Sequence, residues 1–377
     1  MLDRPVTYDT PPADLNLRQN NFSAGPGALP TEVLEEVRDD FPVFAGLGAS
    51  IVEVSHRSGA YTEIHERAKS RLASLLGLGD DWHVLFLQGG ASMQFHQVPL
   101  NLMPRGGTVS YLDTGSWSAK AIKEAEIVAR DRDGTVTVAA SSRDADYTYI
   151  PRPSEWTVDP EAAYLHFTSN NTIYGTQFHE EPICDVPLVC DMSSDFLSRP
   201  IDPKKYGLIY AGAQKNIGPA GVTAVLVRDD VLQSRAEGLP TMLDYGTHAA
   251  KLFNTPPVFA IYIVDKVLGW VERQGGLKGM VERNEAKVSR LYGALDASDF
   301  YRPTVREDSR SHMNVTFRLP NEDLEARFIQ DAAREGLLAL KGYRTVGGVR
   351  ASIYNAVEPR SVELLVEFMR RFEAAYG

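Results

Sequence analysis

The amino-acid sequence predicts an α/β protein in which a large domain with a mainly parallel, helix-covered sheet precedes a small α+β domain at the C-terminus. Between about residues 50 and 227, short apolar runs alternate with segments of helical periodicity, which is typical of parallel strands covered by helices. After about residue 258, two long helical stretches lead into a strand–helix–strand–helix unit. We therefore predict a large domain over residues 31–274 and a small domain that combines residues 1–30 with 275–377.

Six short apolar runs in the first part are predicted strands. They are HVLFLQ (83–88), TVSYLD (108–113), AAYLHFT (162–168), VPLVCD (186–191), YGLIYA (206–211) and GVTAVLVR (221–228). Helical spacing between them is clearest in YTEIHERAKSRLASLLG, where apolar residues recur every three or four positions and Gly77 is a natural end. In the second part, HMNVTFRL and GVRASIY are predicted strands, and each is followed by a predicted helix.

The composition is that of an ordinary globular chain with an acidic balance. The 377 residues carry a formal charge of −11, and 43% of them are hydrophobic. Because no run of 18 apolar residues and no signal-like start occur, we expect no membrane span and no secretory signal. The absence of long basic runs predicts a protein that does not bind nucleic acid. The first 21 residues are predicted to form a flexible or surface-draped arm.

The chain contains two cysteines, Cys184 and Cys190. They flank or lie in an apolar segment and match no metal-ligand spacing, so we expect no metal site. Such sparse cysteine usage favours a reducing, cytoplasmic location.

The stretch YAGAQKNIGPAG (210–221) places one lysine, Lys215, among small residues at the end of a predicted strand. Flexible backbone at this point lets a ligand approach closely. Two interpretations are open from this stretch alone. Lys215 is either a solvated lysine on a surface turn or a lysine held for covalent chemistry with a carbonyl group.

Three other motifs also follow predicted strands. FLQGGASMQFHQVPLNL (86–102) passes through a glycine pair into a helix, whose free N–H groups favour a phosphate, although a turn that binds nothing is the alternative. Trp117 starts the next helix, where an indole either stacks on a flat ligand or packs in the core. Asp191 ends a strand, where it either pairs with a protonated pyridine nitrogen or caps the next turn.

These motifs are expected to meet in space. Ligands of open parallel sheets bind at the carboxyl ends of the strands, and the glycine pair, Trp117, Thr172, Asp191 and Lys215 all follow strand-like runs. A phosphate site, a stacking ring, a carboxylate and a lysine together suit pyridoxal 5′-phosphate.

The chain resembles the phosphoserine aminotransferases, class-V enzymes of fold type I that depend on pyridoxal phosphate. The likeness extends from residue 21 almost to the C-terminus. It is carried by NFSAGPGALP (21–30), SHRS (55–58), QGGASMQF (88–95), GSWSAKAIKEA (115–125), NNTIYGTQF (170–178), LSRPID (197–202), YAGAQKNIGPAG (210–221), FNTPP (253–257) and GYRTVGGVRASIYNAV (342–357).

The resemblance implies roles for the cofactor-binding residues. Lys215 would form the covalent link to the cofactor and then move the proton at the substrate carbon. Asp191 would pair with the ring nitrogen, Trp117 would stack on the ring, and Thr172 would hydrogen-bond the phenolic oxygen. The cofactor phosphate would be held by Ala91, Ser92 and Gln214 of one subunit and by Asn254 and Thr255 of its neighbour. The family therefore implies a homodimer with shared active sites.

The resemblance also implies a substrate pocket. Arg350 would bind the α-carboxylate, because a guanidinium matches two carboxylate oxygens. The basic pocket for the substrate's phosphate would be formed by His56, Arg57 and Arg344. Two positions depart from the family pattern. Tyr343 stands where the family often has histidine and supplies no positive charge, which puts the strength of phosphate recognition in doubt; Ser92 stands where arginine or cysteine is common.

The activity that the resemblance implies is amino-group transfer between L-glutamate and 3-phosphohydroxypyruvate, a phosphorylated 2-oxo acid, in L-serine biosynthesis. Whether 4-phosphohydroxy-L-threonine, of pyridoxal phosphate biosynthesis, is also a substrate stays open. Three alternatives are a serine- or alanine-glyoxylate aminotransferase, which needs no phosphate pocket, a cysteine desulfurase, which needs a cysteine on a mobile loop, and a catalytically silent ligand-binding protein of the same fold.

Overall fold

The computed structural model describes residues 17–377; residues 1–16, most of the predicted N-terminal arm, lie outside the described residues. Its helices are α1 (Thr31–Asp40), α2 (Gly59–Leu76), α3 (Gly90–Leu102), α4 (Ser116–Arg132), α5 (Asp229–Gln233), α6 (Tyr245–Ala250), α7 (Val258–Arg273), α8 (Gly276–Asp296), α9 (Glu322–Arg334) and α10 (Pro359–Tyr376). Its strands are β1 (Asn20–Asn21), β2 (Trp82–Leu87), β3 (Thr108–Asp113), β4 (Thr135–Ser141), β5 (Ala162–Thr168), β6 (Asn170–Asn171), β7 (Thr176–Gln177), β8 (Leu188–Asp191), β9 (Tyr206–Gly212), β10 (Thr223–Arg228), β11 (Arg302–Pro303), β12 (Asn314–Arg318), β13 (Leu337–Leu338) and β14 (Val349–Ser352).

A seven-stranded sheet forms the centre of the larger part, in the order β2-β10-β9-β8-β5-β3-β4. Strands β4, β3, β5, β8 and β9 pair in parallel, whereas β10 is antiparallel to both of its neighbours. The antiparallel step has a physical cause, because the connection between β9 and β10 (residues 213–222) is too short for the crossover that parallel neighbours require. The predicted mainly parallel, helix-covered sheet is confirmed.

Helices cover both faces of this sheet. Successive strand residues point to opposite faces, so Ile209 joins a core with α2 and α7, and Tyr210 joins a second core with α3 and α4. Apolar residues of α2 at helical spacing face the first core, and its end at Gly77, where φ is 65°, is as predicted.

Four of the six predicted strands in this part begin or end at slightly different residues, and one strand of the central sheet, β4, was not predicted. The run VPLVCD forms a strand only from Leu188, because Pro187 has no N–H to donate to a neighbouring strand. Strand β4 lies at the sheet edge, where most of its residues stay partly accessible, so its apolar signal is weak.

The C-terminal part contains a three-stranded antiparallel sheet in the order β11-β12-β14. It shares a hydrophobic core with α8, α9 and α10. The short strand β1 pairs in parallel with β13, and Phe22 joins this core. The small α+β unit is thus present, while the division of the chain at residues 30 and 274 stays a prediction.

The topology places the candidate site residues at one edge of the central sheet. Strands β2, β3, β5, β8 and β9 all run in the same direction, so their carboxyl ends lie at the same edge. The residues singled out by the sequence, from the glycine pair to Lys215, follow these ends.

Candidate active site

Lys215 lies three residues beyond β9, in the tight turn that leads towards β10. Its Nζ donates a hydrogen bond of 2.8 Å to Oγ1 of Thr172, which follows β6. Nζ also lies 5.9 Å from the centre of the Trp117 ring. Two other predicted site residues, Thr172 and Trp117, therefore lie next to the lysine amine.

The environment of Lys215 favours a reactive amine. Burial lowers the pKa of Lys215 to about 8; the negative charge of Asp191 opposes this shift and the positive charge of Arg350 adds to it. At neutral pH a substantial fraction of the amine is unprotonated, whereas a solvated lysine is almost fully charged. The interpretation as a solvated surface lysine does not agree with this environment.

Asp191 is the last residue of β8 and is buried. Its Oδ1 accepts hydrogen bonds from the Ser193 hydroxyl at 2.6 Å and the Ser193 amide at 3.0 Å. Burial raises the pKa of Asp191, and Lys215 and Ser193 act against that shift. Within residues 17–377, its Oδ2 accepts no hydrogen bond, so one oxygen remains available to a ligand donor.

Trp117 is the second residue of α4. Its indole Nε1 is buried and has no hydrogen-bond partner among the described residues. The Lys120 amine lies 4.2 Å from its ring centre, and the Phe95 ring centre lies 6.5 Å away. The indole thus stands between α3 and α4, next to Lys215 rather than deep in the core.

Arg350 connects the site to the C-terminal sheet. It lies in β14, and its Nη1 donates a hydrogen bond of 3.0 Å to the main-chain oxygen of Thr172. Burial lowers the pKa of Arg350, while the Tyr354 and Tyr343 phenols act in the opposite direction. A guanidinium from one part of the protein therefore faces a lysine from the other.

The predicted phosphate site lies at the start of α3. Gly89 and Gly90 have φ values of 93° and 65°, and no side chain caps the helix. Ser92 is exposed in the first turn, and Ala91 is partly buried beside it. No contact among the described residues joins them to Lys215; their place at the same sheet edge follows from the topology. Gln214 is half-buried, and its side chain folds back over Gly212.

The other predicted residues are spread more widely. Asn254 donates a hydrogen bond of 2.7 Å to Gln88 of its own chain, and Thr255 is exposed. His56 and Arg57 lie in the turn before α2, and none of the contacts within residues 17–377 joins them to Arg350. Tyr343 and Arg344 lie in the loop before β14, where Arg344 is exposed. One chain therefore brings together Lys215, Thr172, Trp117, Asp191 and Arg350, but not the whole predicted phosphate pocket.

Two residues near the site were not predicted, Ser193 and Tyr354. The Ser193 hydroxyl holds Asp191 and also accepts a hydrogen bond of 3.0 Å from the amide of Gly212. Its signal is visible in DMSS, where a hydroxyl two residues after the carboxylate suits an Asx-type turn. Tyr354 gives no such local signal, because its partners lie far away along the chain.

Neither cysteine suits a nucleophilic role. Cys190 is completely buried in β8, and Cys184 is half-buried with its thiol directed to the main-chain oxygen of Val186 at 3.3 Å. Burial raises the pKa of both thiols, which disfavours the thiolate. Within residues 17–377, no cluster of three or more His, Cys, Asp or Glu side chains has a metal-binding arrangement. None of the helices described is both long and apolar enough to span a membrane.

Comparison with known proteins defines the class. The family model described as Aminotransferase class-V matches residues 19–365, so the chain belongs to the class-V aminotransferases. A phosphoserine aminotransferase from Desulfosudis oleivorans is 54% identical over 367 residues, which cover 96% of this chain and 100% of that relative. Within the class, this chain belongs to the phosphoserine aminotransferase family, as its motifs predicted.

Solved structures agree with this placement. The phosphoserine aminotransferase from Bacillus circulans subsp. alkalophilus superimposes with a TM-score of 0.92 at 49% identity, covering 96% of this chain and 99% of that chain. A PLP-bound phosphoserine aminotransferase from Trichomonas vaginalis superimposes with a TM-score of 0.90 at 38% identity, covering 94% of this chain and 100% of that chain. The predicted fold class is confirmed.

The residues present fit pyridoxal phosphate. The free Oδ2 of Asp191 suits a protonated ring nitrogen, and the amine of Lys215 suits an aldehyde. The indole of Trp117, beside Lys215, offers a flat face for stacking, and among residues 17–377 its buried N–H has no acceptor. The uncapped start of α3 supplies main-chain donors for a phosphate.

Proposed function

We propose that this chain is a phosphoserine aminotransferase that uses pyridoxal phosphate to move an amino group between L-glutamate and 3-phosphohydroxypyruvate, giving O-phospho-L-serine and 2-oxoglutarate for L-serine biosynthesis. The observation that carries the proposal is the full-length identity of 54% to a phosphoserine aminotransferase, in a chain whose Lys215 lies between Thr172 and Trp117. The rest of the site gives each proposed role a physical basis.

When bound, pyridoxal phosphate supplies an aldehyde that takes up the amino group and a conjugated ring that accepts electrons from the substrate. Lys215 acts first as the nucleophile and then as the base that moves the proton at the substrate Cα. A pKa of about 8 suits both tasks, since the amine is readily deprotonated and readily reprotonated near neutral pH. Thr172 directs this amine through the 2.8 Å hydrogen bond.

Asp191 and Trp117 control the environment of the ring. The carboxylate holds a proton on the ring nitrogen, and Ser193 fixes the direction in which that carboxylate points. Trp117 covers one ring face and excludes water from it. The start of α3, with Ala91 and Ser92, and the side chain of Gln214 hold the phosphate.

Substrate recognition divides between two sets of cations. Arg350 binds the α-carboxylate, which both amino donors carry, because its guanidinium lies beside Thr172 and Lys215. His56, Arg57 and Arg344 bind the phosphate of O-phospho-L-serine, with the Tyr343 hydroxyl as an additional donor. His56 and Arg57 lie apart from Arg350 in one chain, which supports their delivery to the site of a second subunit.

The protein functions as a homodimer with shared active sites. Asn254 and Thr255 reach the cofactor phosphate of the neighbouring subunit. Large apolar side chains are exposed in the sequence segments before His56 and before Asn254. They are Phe41, Val43, Leu47 and Val52 in the first segment and Met242, Leu252 and Phe253 in the second. Exposed apolar patches of this kind commonly mark subunit interfaces. A cytoplasmic location stays a prediction from the two free cysteines.

A second substrate, 4-phosphohydroxy-L-threonine, shares the carboxylate, the amine and the phosphate of O-phospho-L-serine. The same two sets of cations accommodate it. We therefore include it as a further substrate of this site.

A substrate panel tests the function. The purified protein with pyridoxal phosphate is given 2-oxoglutarate together with O-phospho-L-serine, L-serine or L-alanine, and in parallel glyoxylate with the same donors. We expect L-glutamate formation from O-phospho-L-serine alone and a change in cofactor absorption on adding that donor. Preference for glyoxylate with L-serine or L-alanine would instead show the rival aminotransferase.

The Lys215→Ala variant is the matched control for the panel. It retains the binding groups but removes the amine, so we expect a loss of several orders of magnitude in kcat. Transamination at the wild-type rate would contradict the role of Lys215. Cofactor binding without any transamination by the wild-type protein would indicate the silent ligand-binding alternative.

A further inference from the structure

Tyr354 lies two residues beyond β14 and is completely buried beside the candidate active site. Its hydroxyl donates a hydrogen bond of 2.7 Å to the main-chain oxygen of Ala24. The amide of Asn314 donates to the phenol oxygen at 3.3 Å. None of the roles proposed for the transamination involves Tyr354, although its hydroxyl connects segments that are distant in the sequence.

The phenol faces the groups that hold the catalytic lysine. Burial raises the pKa of Tyr354 to about 12, and four polar neighbours act against this shift: the side chains of Asn314, Arg350, Thr172 and Ser352. Thr172 accepts the hydrogen bond of Lys215 on its Oγ1 and that of Arg350 on its main-chain oxygen. The Tyr354 hydroxyl therefore lies close to Thr172, the residue that contacts both Lys215 and Arg350.

The segment that Tyr354 holds lies against Lys215. The Gly27 amide donates a hydrogen bond of 2.7 Å to the main-chain oxygen of Gln214. A Cβ built on Gly27 would lie 2.7 Å from the Tyr354 ring and 3.0 Å from the main-chain oxygen of Lys215. A Cβ built on Gly25 would lie 3.8 Å from Cγ of Lys215. Residues 22–28 thus form a wall of the site, and only small residues allow so close an approach.

We propose that Tyr354 is a positioning residue for the transamination: its hydroxyl holds the 22–28 segment against Lys215 and so keeps the lysine amine in its buried position. The proposal rests on the proposed function for the role of Lys215. Gly25 and Gly27 of that segment lie against the side chain and the main-chain oxygen of Lys215. The bond from Tyr354 to Ala24 therefore keeps this side of the lysine closed to water.

Removal of the phenol hydroxyl leaves the main-chain oxygen of Ala24 without its donor. The 22–28 segment then becomes more open to exchange with solvent. Water that enters beside Lys215 favours its charged form, so the lysine pKa, which burial lowers to about 8, rises.

The test compares Tyr354→Phe with Tyr301→Phe in the full-length protein. Tyr301 is a matched control, because it is also buried and its hydroxyl donates a 2.8 Å hydrogen bond to a main-chain oxygen, that of Met369, in the C-terminal core. Both variants lose one such bond and keep the ring. The Lys215 pKa is measured in cofactor-free protein from the pH dependence of its acetylation, read by peptide mass spectrometry. Hydrogen exchange of residues 22–28 and steady-state kinetics are then measured for both variants and for the wild-type protein.

The two variants distinguish positioning from structure. We expect Tyr354→Phe alone to raise the Lys215 pKa from about 8 towards the ordinary value of lysine, to accelerate exchange in residues 22–28 and to reduce kcat by about tenfold. An unchanged Lys215 pKa, or equal effects of both variants, would overturn the proposal, and so would a Tyr354→Phe protein that no longer folds. The pKa and hydrogen-exchange measurements need no substrate, so they test the role of Tyr354 separately from the substrate assignment. The substrate assignment fails only if the wild-type protein does not react with O-phospho-L-serine.

Discussion

At the scale of single residues, the site depends on two opposing effects on one amine. Burial disfavours the charged form of Lys215, and the carboxylate of Asp191 partly restores it. Lys215, Asp191 and Trp117 could each be singled out from the sequence, because each follows a strand and has a chemically distinctive side chain. The balance between burial and charge became visible only in the folded structure.

Replacing Asp191 with asparagine shifts this balance. Without the carboxylate, nothing of comparable size opposes burial, so the Lys215 pKa falls from about 8 by roughly one unit or more. The cofactor-free variant then has more unprotonated Lys215 at pH 7, and acetylation of Lys215 at that pH is faster than in the wild-type protein. The loaded variant nevertheless transaminates far more slowly, because the ring nitrogen loses its partner. A Lys215 pKa that stays at 8 would show that the two groups are not coupled.

Kinetics can separate the roles of the two arginines, Arg344 and Arg350, of the proposed substrate pocket. Arg350→Lys keeps the charge but loses the forked geometry, so KM rises about tenfold to a hundredfold for both L-glutamate and O-phospho-L-serine. Arg344→Ala raises KM to a similar extent for O-phospho-L-serine alone, since L-glutamate has no phosphate. Measuring both half-reactions in both variants checks this division. Equal losses on the two substrates in Arg344→Ala would mean that the phosphate pocket lies elsewhere.

At the scale of elements, the turn between β2 and α3 depends on backbone that only glycine adopts readily. Gly89 and Gly90 both have positive φ, but their surroundings differ. A Cβ on Gly89 would lie 2.5 Å from Cβ of Met93, whereas a Cβ on Gly90 would meet nothing within 4 Å. The sequence showed the glycine pair, and the structure shows which member is also confined by a neighbour.

Alanine at each glycine tests this difference. Gly90→Ala should lower the free energy of unfolding by about 1 kcal/mol through backbone strain alone. Gly89→Ala adds a steric conflict inside α3 and should cost about 2 kcal/mol or more, with weaker cofactor binding as well. Urea unfolding and cofactor titration of the two variants provide the measurement. Equal costs for the two variants would show that Met93 yields without penalty.

At the scale of the whole molecule, the proposed shared active sites predict complementation between inactive variants. Lys215→Ala lacks the lysine amine, and the double variant Asn254→Ala/Thr255→Ala lacks the groups proposed to reach the neighbouring phosphate. In a mixed dimer, one of the two sites combines an intact Lys215 with an intact Asn254 and Thr255. Random reassociation should therefore restore up to about a quarter of wild-type activity.

The measurement mixes the two variants after mild dissociation and follows transamination over time. Each variant treated alone is the control and should remain at its own low activity. No gain in the mixture, despite proven subunit exchange, would place Asn254 and Thr255 in their own chain's site. The hydrogen bond from Asn254 to Gln88 of the same chain makes this comparison informative.

The sequence by itself determined the helix-covered sheet and the strands that lead to the candidate site, and it singled out Lys215, Asp191 and Trp117 as candidates for the chemistry. These features follow from periodicity and local spacing, which are properties of neighbouring residues. Only the tertiary structure decided that Thr172 accepts a hydrogen bond from Lys215, that Arg350 meets Thr172 from another part of the chain, and that Tyr354 holds Ala24. Such contacts join residues separated by long stretches of chain, and no local pattern encodes which distant groups will meet when the three hydrophobic cores form.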